Sequence, residues 1–287
     1  MNERTIVITG ATDGMGKAAA IALARHRARL LLVGRDRARC EAAVADCLAH
    51  SRQQRLDYVV ADLSTVDAVR SGAAEILARI PRLDALLHLA GGTFPAQRTL
   101  TGDGLELAFA LQYLSRYVLT EALLDPLRAS EDPRVIVVAG GGAYAKGSVP
   151  DDLQSERDYK WHRVIAKSAV LNDLLTRDQS ERHPEIGFYN YGPGLVRTKT
   201  TMRSPVARIF FQTLGRLFTR SPEQAGADLA RLATEPHEAG FYGPDLKRDV
   251  PDWIHGDPAA WRLLRQQTEA LLARLEPGSG PQVRLAA

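Results

Sequence analysis

The chain of 287 residues has only two cysteines and 6% aromatic residues, and it contains no polybasic tract, no apolar run of 18 residues and no internal repeat. Each absence excludes something. Cys40 and Cys47 lie two turns apart in one expected helix, a spacing that makes neither a CxxC metal or redox site nor a strain-free disulfide. Reduced thiols in a cytoplasmic protein are therefore expected, with no metal. Without a long apolar run there is no candidate transmembrane helix, and no charged leader with an apolar stretch precedes the first strand-like segment. Lys and Arg number 37 against 34 Asp and Glu, for a net charge of +3. The arginines are scattered among acids along helical stretches, which reads as solvated faces, and no nucleic-acid partner is expected.

What the sequence does have is an alternation of short apolar runs with helical patterns. The runs at residues 5–8, 29–33, 57–60, 84–88, 134–138 and 186–190 are strand-like, and amphipathic stretches separate them. Strand, helix, strand at this spacing predicts βαβ crossovers. The expected fold is α/β, a Rossmann-type doubly wound parallel sheet with helices on both faces. A chain of this size buries roughly 75% of its unfolded surface as one unit. A single domain over residues 1–275 is expected, with a flexible tail at 276–287.

The segment TGATDGMG at 9–16 follows the first strand and opens the first helix. Gly10, Gly14 and Gly16 permit a tight turn, close approach of a ligand to the backbone and close packing of helix on sheet. The helix N-terminus offers N–H groups and positive dipole to a pyrophosphate. Gly10, Thr12, Asp13, Gly14, Met15 and Gly16 are therefore candidate cofactor-binding residues. At the end of the second strand, Gly34 stands where a ribose-binding acid would favour NAD(H), and Arg35 follows. A guanidinium presents a planar fork to a 2′-phosphate, so NADP(H) is the expected cofactor, with Asp36 beside it. The opposing reading makes Arg35 a surface charge paired with Asp36 or displaced by Arg37.

This TGxxxGxG spacing resembles the short-chain dehydrogenase/reductase family, and further landmarks match in order along nearly the whole chain. Asp62 and Leu63 look like the family's adenine-contacting pair. Ala90 and Gly91, with Gly92 after them, look like the end of its NNAG segment. Residues 191–198 (YGPGLVRT) look like its PGxVxT loop, which adds Pro193, Gly194 and Thr198 to the cofactor set. The stretches at 101–114, 152–157, 221–226 and 256–264 look like the retinol-dehydrogenase branch.

The resemblance implies a catalytic tetrad of Asn, Ser, Tyr and Lys, in which Tyr handles the proton at the substrate oxygen. This chain departs from it at every position. Gln112 stands at the Asn, Gly140 at the Ser, and an ungapped reading puts Ile165 at the Tyr and Ala169 at the Lys. A shifted register puts Arg163 and Lys167 there instead; in neither is a Tyr four residues before a Lys. Gln112, Tyr144, Tyr159 and His162 are the candidate substitutes. An imidazole suits proton transfer, and His162 lies one turn before Ile165, while Tyr159 and Trp161 are placed to wall a pocket. For each, a structural role competes: a hydrogen-bonding helix His, a loop Tyr packing on glycines. His88 stands at the first Asn of the NNAG segment with either a packing or a catalytic role, and Lys167 is expected to be solvated.

Residues 199–220 carry Val206, Ile209, Phe210, Leu214, Leu217 and Phe218 near helical spacing. In the family this segment covers the substrate, which implies a hydrophobic small molecule of polycyclic, terpenoid or polyketide-like class; core packing, a dimer contact or a membrane-surface patch is the competing reading. Three functions stay open. The first is NADP(H)-dependent hydride transfer to an activated acceptor without the Tyr and Lys pair. The second is a non-redox cyclase, isomerase or dehydratase on the same fold, and the third a non-catalytic NADP(H)-binding protein. A homodimer formed through long helices, as in many relatives, is also compatible with the sequence.

Overall fold

A computed structural model describes residues 3–26, 28–51, 55–92, 94–139, 150–197, 219–248 and 258–276. Seven parallel strands form one sheet: β1 (Thr5–Thr9), β2 (Arg29–Gly34), β3 (Leu56–Val60), β4 (Ala85–His88), β5 (Arg134–Val138), β6 (Gly187–Tyr191) and β7 (Gly240–Tyr242), in the order β3-β2-β1-β4-β5-β6-β7. The order reverses between β1 and β4, which makes the crevice beyond their carboxyl ends the place where such a sheet binds ligands.

Alternation along each strand feeds two cores. Val7, Leu31, Val33, Leu86, Val135, Val137 and Phe188 face one side; Ile6, Ile8, Leu30, Leu32, Leu87, Ile136 and Tyr189 face the other. The second side is covered by α1 (Gly14–Arg25), α2 (Arg37–Ala49) and α8 (Pro222–Thr234). Helices α1 and α8 meet backbone to backbone, for a Cβ on Gly226 would come within 2.7 Å of the Ala18 carbonyl carbon and the Ala19 nitrogen. Ser221 and Gln224 close a capping box at the start of α8.

The first side is covered by α3 (Val66–Leu77), then by α4 (Leu107–Phe109), a π-helical turn (Ala110–Leu114), α5 (Ser115–Ala122), α6 (Leu124–Arg128), α7 (Trp161–Arg182) and α9 (Ala259–Arg274). The helical stretch between β4 and β5 is thus interrupted by the π turn. Helix α9 lies over the outer faces of α5 and α7. The Tyr113 hydroxyl meets Thr268 Oγ1 at 2.7 Å, Tyr117 donates to Glu269, Trp261 Nε1 donates to Glu181 at 2.7 Å, and Arg265 pairs with Asp178 at 3.3 Å.

Cys40 and Cys47 are both buried and free, and burial pushes the Cys47 thiol up to about 11. No helix among the described residues is long and apolar enough to cross a membrane, and no cluster of metal-ligating side chains occurs among them. Gly140, Tyr144, Thr198, residues 199–218 of the expected lid and the tail from 277 lie outside the described residues.

Candidate active site

The loop from β1 to α1 is shaped by its glycines. Gly10 has φ +68, and a Cβ on it would come within 2.7 Å of the Leu89 carbonyl oxygen. A Cβ on Gly16 would come within 2.2 Å of the Gly10 carbonyl oxygen, so the helix sits directly on the turn. Gly14, φ +54, begins α1 with Asp13 as cap, its carboxylate accepting from the Gly14 N–H at 2.9 Å. Arg39 of α2 pairs with that carboxylate at 3.0 Å and offsets an anion that would otherwise stand beside a phosphate site. Met15 packs its side chain on the core under the loop. The first turn of α1 leaves backbone N–H groups aimed outward, and the cradle fits a pyrophosphate.

At the end of β2 a side chain on Gly34 would come within 2.7 Å of both Cys40 Sγ and Thr12 Cγ2. That position has no room for an acid. The two competitors for Arg35 are engaged elsewhere: Asp36 caps α2 by accepting from the Arg39 N–H at 2.9 Å, and Arg37 donates to the Tyr58 hydroxyl at 3.0 Å. Arg35 is exposed and makes no hydrogen bond or ion pair among the described residues. Asp62 is exposed, accepting from the Ser64 N–H at 3.1 Å, and Leu63 is buried beside it.

The loop after β4 is pinned from beneath by Thr9, whose hydroxyl oxygen accepts from the N–H groups of Leu89 and Ala90 at 3.1 Å each. Gly91 and Gly92 are exposed above it. The Gln112 amide sits over Gly91, its Nε2 only 3.0 Å from where a Cβ would stand, and it bonds to no described residue. Gln112 lies in the π turn, a distortion that recurs at functional sites. On the far side of the crevice Pro193 is buried and Gly194 has φ +70. His88 is buried with Nε2 2.9 Å from Thr120 Oγ1, and burial plus the charge of Arg116 holds its pKa well below the ordinary value. It is a neutral structural histidine.

Ile165 and Ala169 share one stripe of α7 with Asn172, Ile165 being 41% exposed and Ala169 6%. Asn172 Nδ2 donates to the Gln112 carbonyl at 2.8 Å, so this stripe faces the π turn. Arg163 and Lys167 look elsewhere. Arg163 pairs with Asp158. Lys167, expected to be solvated, is instead half-buried; its Nζ donates to the Asp152 carbonyl and, at 2.8 Å, to Ser155 Oγ. It ties down a loop whose Ser155 has φ 50, and desolvation lowers its pKa. Tyr159 packs on Phe94, Ala108 and Val164, and its hydroxyl is used on the Pro95 carbonyl at 2.9 Å. His162 is exposed, edge-on to the exposed Trp161, with no hydrogen bond among the described residues. The structure thus brings Gln112 to the crevice with Ile165 and Ala169, and does not bring His162 to it.

Beneath the crevice lie groups that the sequence reading passed over. Arg116, 4% exposed, donates from Nη1 to the Val138 carbonyl and to Asn172 Oδ1, each at 2.9 Å, and from Nη2 to the Ala90 carbonyl at 3.4 Å. Its position four residues after Gln112, hence on the same helix face, was the available signal. Deeper still, Asn190 of β6 donates to Asp173 Oδ1 at 2.8 Å, while Asp173 Oδ2 and Asn190 Oδ1 are buried without a partner among the described residues. Burial pushes the Asp173 carboxyl up to about 8.

Comparison with known proteins agrees with this architecture. A family model described as short chain dehydrogenase matches residues 4–149. The protein named "Putative daunorubicin C-13 ketoreductase DnrU" from Streptomyces sp. (strain C5) is 33% identical over 245 residues, covering 83% of this chain and 82% of its own. Retinol dehydrogenase 14 of Mus musculus is 32% identical over 259 residues, covering 85% of this chain and 77% of its own. Among solved structures, an alcohol dehydrogenase from the archaeon Thermococcus sibiricus, complexed with 5-hydroxy-NADP, superposes with a TM-score of 0.66 at 19% identity, covering 88% of this chain and 100% of that one.

Proposed function

Because the chain belongs to the short-chain dehydrogenase family, we propose that it binds NADP(H) and carries out hydride transfer with an apolar small molecule whose acceptor carbon is already activated, without the family's Tyr and Lys. The observation that carries this reading is the division of the site. The glycine cradle keeps its geometry and Arg35 is unpaired among the described residues, while an Ile and an Ala stand on the stripe of α7 that reaches the π turn through Asn172.

The cofactor, when bound, supplies the hydride. The chain's own residues do the rest. The N-terminus of α1 faces the pyrophosphate, and Arg35 offers its fork to the 2′-phosphate. The Gln112 amide, free over Gly91, orients or polarises an acceptor oxygen; an amide transfers no proton at neutral pH, so the acceptor must need little acid assistance. An iminium or a conjugated enone meets that condition. An apolar substrate is supported by Phe210 and Phe211 in the expected lid and by the ketoreductase and retinol dehydrogenase names of the two relatives. The reading places the protein in the cytoplasm.

The test is a calorimetric titration with NADPH, NADP+ and NADH, followed by NADPH oxidation in the presence of an iminium, an enone and a plain ketone. Binding of NADPH well above NADH, with turnover of the first two acceptors only, is expected. No binding would end the redox reading. Binding without turnover would make this a binding protein. Conversion of an acceptor without NADPH oxidation would favour a cyclase or isomerase, the reading to which the missing Tyr and Lys also lend weight.

Arg35→Ala is expected to weaken NADPH binding on the order of tenfold to a hundredfold, the loss of one charge-assisted contact. NADH affinity should stay nearly constant. Equal losses for both would remove the phosphate role.

A further inference from the structure

Arg116 is a buried cation with no anion beside it among the described residues. Its described partners are two backbone carbonyls and the Asn172 amide oxygen, its Nε is buried without a partner, and no carboxylate pairs with it among the described residues. The titratable group against it, His88, is neutral. Burial pulls the guanidinium down to about 9, still above neutral pH, so the charge persists. A charge held this way acts at long reach, because little water screens it.

Its location decides what it acts on. By bonding the Ala90 and Val138 carbonyls, Arg116 sits at the carboxyl ends of β4 and β5, beside the crevice where the sheet order reverses. We propose that Arg116 makes this site select the reduced cofactor over the oxidised one, by placing an uncompensated positive charge where an oxidised nicotinamide would bring a second. The reduced ring is neutral and meets no such repulsion. The inference rests on the NADP(H) reading above and adds a direction to it: the resting protein is loaded with NADPH and works as a reductase. Arg116 is thus a specificity-determining residue acting through its field.

The experiment measures the dissociation constants of NADPH, NADP+ and 2′-phospho-ADP-ribose, which lacks the nicotinamide, for the wild-type chain, Arg116→Gln and Arg116→Lys, with folding checked by circular dichroism. In the wild type NADPH should bind on the order of tenfold tighter than NADP+, the size of one partly screened charge pair. NADP+ should gain nothing over 2′-phospho-ADP-ribose. Arg116→Gln should bring the two redox forms together, and Arg116→Lys should keep them apart. A wild type that binds both forms equally overturns the proposal. So does a folded Gln variant with an unchanged ratio. Should the Gln variant not fold, the wild-type comparison decides alone: NADP+ and NADPH gaining equally over 2′-phospho-ADP-ribose sinks the idea. Binding of none of the three would overturn the cofactor reading itself, and this inference with it.

Discussion

Installing Ile165→Tyr together with Ala169→Lys is expected to confer reduction of a plain ketone, with a rate on the order of a hundredfold or more above the wild-type chain, the contribution of a positioned general acid. The two positions are four apart on the stripe of α7 that reaches the π turn through Asn172. Ile165 is 41% exposed, so a phenol there needs no repacking. Ala169 is buried, and a lysine there would share the neighbourhood of Arg116; the added charge should hold the new tyrosine's pKa down and bring its proton within reach of neutral pH. NADPH consumption with cyclohexanone as acceptor is the readout. The control is Arg163→Tyr with Lys167 left in place. It should stay inactive, because Lys167 Nζ is committed to Asp152 and Ser155 on another side of the helix. Activity in the control and none in the double variant would move the catalytic stripe to residues 163 and 167.

Asp173→Asn is expected to stabilise the fold increasingly as pH rises. In the wild type a proton on Asp173 removes the charge from a carboxyl group whose Oδ2 is buried without a hydrogen-bond partner among the described residues. The native carboxyl then titrates near 8, against about 4 for an unfolded aspartate. Below pH 4 both states are protonated and the native contribution is fully present. Between about 4 and 8 the unfolded chain releases a proton that the native one keeps, and stability falls by up to about 1.4 kcal/mol per pH unit. An asparagine fills the same volume and keeps an oxygen to accept from Asn190, with no proton to lose. Denaturant melts of the two chains should therefore coincide at pH 4 and diverge towards pH 8, the variant being the more stable. Parallel curves would mean that Asp173 is ionised in the native protein.

The strands were legible because their apolar runs are four or five residues long and alternate between two cores. β7, Gly240–Tyr242, was not, since three residues carry no periodicity to read. The glycine loop was legible because its constraints are local to the backbone, Gly10 and Gly16 each being forced by atoms within van der Waals reach. The centre of the site was less so. Periodicity reports which way a Cα points and not how far a long side chain reaches back, so arginines among acids read as solvated even though Arg116 and Arg134 are both buried. Arg134 spends its guanidinium on Asp132 and the carbonyls of Leu232 and Glu235. Lys167 was misplaced for the same reason. The π turn at Gln112 left no mark in composition, because one extra residue per turn changes the face that follows without changing the residues used.

The placement of α9 has a consequence for synthesis. It seals α5 and α7 with a helix that the ribosome delivers last of all the elements described, and the Tyr113–Thr268 hydroxyl pair joins residues 155 positions apart. Until that helix arrives, the nascent sheet can form while one apolar flank stays open to chaperones and to other chains. The vulnerable interval in this protein's synthesis is therefore the one before α9 emerges, when a completed cofactor half waits for its covering helix.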